Sequence, residues 1–155
     1  MERMDVRAAD NKYLHRDFHG ILNLGISYLQ DEYGDDAVIE YLQDYTKVFH
    51  KPLIEKTKAE GLGAIEGYFT KLYETEEVSD DISFESSADE LTITIAKCPA
   101  VSHMKKTNIK PADMFIETTR VIGQTLAEET GLSYELVSYD KETGASVQKF
   151  MKGGK

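Results

Sequence analysis

The hydrophobic period of this chain first changes near residue 82. Before that point apolar residues recur at spacings of three and four; after it they alternate with polar ones over two separate stretches. The first spacing draws one stripe along an α-helix, and the second draws one face of a half-buried strand. Helices gathered before strands, with one helical stretch between two strand pairs, favour an α+β arrangement over a repeated βαβ winding.

The stretch 9–33 reads as a helix with Leu14, Phe18, Ile21, Leu22, Gly25 and Leu29 on its inner face, Asp10 or Asn11 as its cap and Gly34 as its stop. A second helix opens at Asp35-Asp36, where acidic side chains suit the positive end of the helix dipole. Its stripe is Val38, Tyr41, Leu42, Tyr45, Val48, Phe49 and Leu53, with Pro52 kinking or restarting it before about Ala59. Gly61 and Gly63 break the pattern, and a shorter helix carries Ile65, Phe69 and Leu72. Ile82 and Phe84, then Leu91, Ile93 and Ile95, form a hairpin around the polar run 86–90. Pairing should end at Lys97-Cys98-Pro99, because proline has no N–H to give a ladder, and a loop should follow. Pro111 should open another helix, with Met114, Phe115, Thr118, Val121, Ile122, Thr125 and Leu126 inward and Gly131 as C-cap. Ser133–Tyr139 and Ala145–Met151 make a second hairpin. The expectation is an α+β fold: N-terminal helices, then a mainly antiparallel four-stranded sheet from two hairpins separated by a helix, with helices on one face. One domain should span 1–155, with 152–155 as a frayed tail.

Charge narrows the partners. Eighteen basic residues stand against 28 acidic ones, a formal charge of -10. Nucleic-acid binding rests on neutralising phosphates with Lys and Arg, and three lysines near 105–110 are a thin footprint for it. Anionic membrane surfaces repel such a chain, and no apolar run reaches the ~20 residues that span a bilayer. With no apolar leader in the opening residues, the expected compartment is the cytoplasm. The expected partner is a small molecule, and homodimerisation stays open. The single cysteine excludes an internal disulfide and a CxxC metal knuckle, and suits a reducing compartment.

That cysteine, Cys98, is the focus of candidate chemistry. It stands where a strand gives way to a loop, and Pro99 keeps its backbone extended. His103 follows five residues later. An imidazolium beside a thiol favours thiolate, so the two can make a nucleophile; a cysteine packed as a small hydrophobe is the plain alternative. His15 and His19 lie four apart and share one helix face, a spacing that suits zinc or iron, although two polar residues on a helix rim explain it as well. No cofactor is required by any motif. Tyr41, Tyr45, Tyr68 and Tyr73 should line the edge of the core, where one can project into a pocket. Asp113 and Glu117 read as an acidic first turn, or as a base pair facing Cys98.

Several short patterns together resemble a known family. They are His19-Gly20 on the first helix, Tyr33-Gly34 before the second, the strand ending in Cys98-Pro99, and Gly144 ahead of a strand closing on Phe150. The chain is similar, from about Tyr13 to Phe150, to the L-2-amino-thiazoline-4-carboxylic acid hydrolase-like family. Family members carry further cysteines near the start of the last helix and in the final strand; here those places hold residues 112–115 and Gln148. The resemblance implies hydrolysis of a carbon–nitrogen bond in a small cyclic amidine or thiazoline carboxylate. Cys98 would be the nucleophile, with His103 or His19 as base and proton carrier. Lys97 and Lys105 would be cations for the carboxylate, and Tyr45 and Gln148 further substrate contacts. Loss of the other cysteines also fits a small-ligand binding or sensor domain without catalysis, and the histidines leave a metal-binding protein as a third reading.

Overall fold

The computed structural model describes residues 12–153, with side chains from Arg16 and from Phe18 onward. The expected start of the first helix and its cap, Asp10 or Asn11, lie outside the described residues. Four helices come first: α1 (Lys12–Tyr33), α2 (Asp35–Phe49), α3 (Lys51–Glu60) and α4 (Leu62–Thr75). A 3-10 turn at Ser79–Asp81 leads into β1 (Ile82–Ser86) and β2 (Glu90–Ile95). Then come α5 (Pro99–Lys106), α6 (Glu117–Thr130), β3 (Ser133–Tyr139) and β4 (Ser146–Met151). The sheet has the order β1-β2-β4-β3 with every neighbouring pair antiparallel. The fold is α+β, as the change of period implied.

Local chemistry explains the breaks. Pro52 lacks the N–H that would continue α2, so the helix stops at His50 and restarts with the proline in its first turn. Gly61, at φ 76, separates α3 from α4. Gly131, at φ 72 and ψ 22, closes α6 as expected, and the N–H of Leu132 turns back to the carbonyl of Ala127. Three boundaries differ from the sequence reading. The loop expected after Cys98 is α5: Pro99 ends the strand and also begins a helix, since a first turn needs no N–H there. The helix expected from Pro111 begins only at Glu117, after a run of turns. Lys152, expected in a frayed tail, donates its N–H to the carbonyl of Asp89 at 2.8 Å.

The buried side chains fall into two clusters. One joins α3, α4 and α6 to the inner face of the sheet, through Ile65, Tyr73, Leu91, Ile93, Leu126 and Phe150. The other joins α1, α2, α5 and α6, through Ile26, Val38, Leu42, Val101, Met104 and Phe115. Helix α6 contributes to both. On α1 the true inward residue is Ile26, fully buried, whereas Ile21, expected inside, is 67% exposed. Val48 on α2 is likewise exposed. Among the described residues no helix is long and apolar enough to cross a membrane.

Candidate functional site

Between the two clusters the packing leaves a cavity of about 200 Å³. Its walls come from nearly every layer of the fold. Helix α1 supplies Phe18, His19 and Leu22; α2 and the α2–α3 junction supply Tyr45, Phe49 and His50. Helix α4 supplies Tyr68, Phe69, Leu72 and Tyr73, and α6 supplies Thr118, Ile122 and Leu126. The sheet closes the floor with Ile95, Gln148 and Phe150, and Cys98 enters from the start of α5. Phe49 is half in solvent, so the rings of Phe18, Tyr45 and Phe49, stacked with centroids 5.0–6.2 Å apart, form a rim. No Lys, Arg, Asp or Glu lines the cavity among the described residues.

Cys98 is held by its surroundings. Its N–H donates to the carbonyl of Thr143 at 3.0 Å, and its extended backbone, φ -80 and ψ 124, is what the residue before proline adopts. Gly144, at φ 67, packs directly against the Cys98 β-carbon, leaving no room for a side chain of its own. Burial pushes the Cys98 thiol up, the N–H groups of Val101 and Ala100 pull it down, and Glu76 adds to the rise. The net effect is upward, so the sulfur stays protonated at neutral pH and is a weak nucleophile in the resting protein.

His19 is a different kind of group. Its Nε2 lies 2.6 Å from Oε1 of Glu76, a carboxylate buried at the C-terminal end of α4, and Arg16 Nε approaches the other oxygen at 3.8 Å. Glu76 escaped the sequence reading because the acidic run 74–81 looks like a solvated boundary; nothing in it marks one carboxylate as internal. His103 does not line the cavity. It sits on α5 with its ring 6.5 Å from that of His19. The loop imagined to bring it back to Cys98 is a helix, which carries it away around the axis.

The remaining candidates divide in the same way. Tyr45 and Gln148 line the cavity. The Gln148 amide is largely engaged already: its Oε1 accepts from the Tyr134 hydroxyl at 2.9 Å and its Nε2 donates to Ser146 Oγ at 3.3 Å. Lys97 is exposed and Lys105 pairs with Glu142 at 3.1 Å, so neither reaches the cavity wall. Asp113 is exposed, and Glu117 is buried against Arg120 through a bidentate pair; neither faces Cys98 across the cavity. The side chain of His15 lies outside the described residues. Among those described, no group of three or more His, Cys, Asp or Glu stands together as a metal site.

His50 was not anticipated. The helix break at Pro52 places it at the α2–α3 junction, 8% exposed, with its ring edge-on to Tyr45, Phe49 and Tyr68 at 5.6, 5.1 and 5.6 Å. Burial alone drives its pKa down to about 4, so the imidazole is neutral. Burial likewise raises Tyr45, Tyr68 and Tyr73, which stay protonated. A sequence signal did exist: a histidine inside the apolar run 48–54, two residues before a helix-restarting proline. No family model, curated protein or solved structure compared with the chain matches it.

Proposed function

We propose that this protein binds a small, uncharged and largely apolar molecule in the cavity between its two clusters, as a binding or sensor domain. The observation that carries this reading is a 200 Å³ apolar hollow with no charged Lys, Arg, Asp or Glu in its described wall. Apolar cavities of ~150 Å³ stay dry and accept a benzene ring, so a hollow of this size takes one ring with a substituent. Most pockets of this kind are apolar with a few placed polar groups that fix orientation. The test is a methyl-resonance titration with benzene and with benzoate. Benzene should shift the methyls of Leu72, Ile122 and Leu126, and benzoate should leave them in place. Shifts with benzoate alone contradict the reading.

A second reading is hydrolysis of a carbon–nitrogen bond in a small cyclic amidine or thiazoline carboxylate. It is favoured by the presence of Cys98 and His19 in one cavity wall, with His19 engaged by Glu76 as a base is by its orienting carboxylate. Two features weigh against it. The thiol is disfavoured as thiolate, and the wall offers no Lys or Arg to a substrate carboxylate. Turnover of 2-amino-thiazoline-4-carboxylate that disappears in Cys98→Ser would raise this reading above the first; absence of turnover in the wild type removes it.

A further inference from the structure

Two side chains in the cavity wall have hydrogen-bonding capacity that no described residue uses. His50 is 8% exposed and Tyr73 2%, yet among the described residues neither side chain makes a hydrogen bond. Their polar atoms are not sealed in packing either. The one sealed and unpartnered side-chain polar atom among the described residues is Thr57 Oγ1. Both residues line the cavity, so their unfilled capacity lies beside it. Side chains this buried that lack a protein partner for their polar group are uncommon, and two beside one hollow offer bonding capacity to a ligand that enters it.

We propose that the ligand of this cavity is an uncharged ring compound bearing a hydroxyl or ring N–H, whose polar group is received by the imidazole of His50. The proposal rests on the binding reading above and names the ligand class for the same site. The ring preference comes from the wall beside His50. Tyr45, Phe49 and Tyr68 present aromatic surfaces, and aromatic partners take offset or edge-on arrangements on them. A hollow of about 200 Å³ holds a single ring with one substituent. A neutral imidazole offers one lone-pair nitrogen and one N–H, so it can accept from a phenol or azole and still donate. A carboxylate or ammonium ligand would find no Lys, Arg, Asp or Glu in the described wall to pair with it.

The probes are 4-methylphenol and toluene, which differ by one hydroxyl, titrated calorimetrically into the full chain. In wild type the phenol should bind at least as tightly as toluene, despite being better hydrated. In His50→Phe the ratio of phenol to toluene affinity should fall about tenfold, the worth of one hydrogen bond. An unchanged ratio, with toluene still bound, overturns the proposal and leaves the apolar binding reading standing. Failure of both probes to bind wild type overturns the two together. Should His50→Phe not fold, the ring ¹⁵N shifts of His50 in wild type decide: they should move with 4-methylphenol and not with toluene, and equal movement with both, or none, overturns the proposal.

Discussion

The imidazole of His50 meets the ring of Tyr68 edge-on, with centroids 5.6 Å apart and planes at 88°. This contact joins the α2–α3 junction to α4 at the cavity wall and holds a titratable group in an apolar setting. Its pKa falls to about 4 through desolvation, from an ordinary 6.5.

That shift fixes a sign for acid sensitivity. The folded pKa is lowered, so as pH falls the unfolded chain takes up the proton first. The His50 contribution is intact above about 6.5 and is lost progressively down to about 4. At pH 5 the loss is about 2 kcal/mol by linkage. Urea unfolding at pH 7.5 and pH 5 should show the wild type losing about 2 kcal/mol more than His50→Phe over that interval. Equal losses would mean that His50 is not desolvated as described.

Cys98 should react slowly. Burial raises its thiol and keeps thiolate scarce near neutrality. Alkylation by iodoacetamide at pH 7.5 should run at least tenfold slower than for a free cysteine in the same buffer. Labelling as fast as the free thiol would show an ionised sulfur and favour the hydrolase.

Gly144 holds a positive φ of 67°, and a β-carbon there would overlap that of Cys98 and press on Val101. Gly144→Ala should destabilise the protein by about 2–3 kcal/mol. Gly67, inside α4 with open space around it, is the control: Gly67→Ala should stabilise by about 0.5–1 kcal/mol. Denaturant midpoints measure both, and a neutral Gly144→Ala would show that the 143–144 turn does not position Cys98.

The His19–Glu76 pair is buried on both sides. Removing His19 takes a 2.6 Å hydrogen bond from a buried carboxylate, so His19→Leu should cost about 2 kcal/mol. Replacing both, His19→Leu with Glu76→Leu, should cost less than His19→Leu alone. A double variant less stable than the single one would contradict the pairing.

Much of this architecture is legible in the residues themselves. Alternation locates all four strands, Pro52 and Gly131 mark their helix ends, and Cys98 is found at the end of a strand. Pro99 shows why the reading stops short: the same missing N–H that ends a ladder also opens a helix, and only the tertiary setting chooses between them. His103 was misplaced for that reason. Ile21 and Val48 fit the helical stripe by spacing, yet sit outward, because period alone does not fix which edge of an apolar stripe meets the neighbouring helix. The cavity is a property of two clusters failing to meet. Neither its existence nor the burial of Glu76 follows from local patterns.

The most direct measurement is a calorimetric titration of the full chain with 4-methylphenol and, separately, with 4-methylbenzoate at neutral pH. Saturable one-to-one binding of the phenol with none of the carboxylate is the expected result. Binding of the carboxylate in preference to the phenol would contradict an uncharged ligand in this cavity.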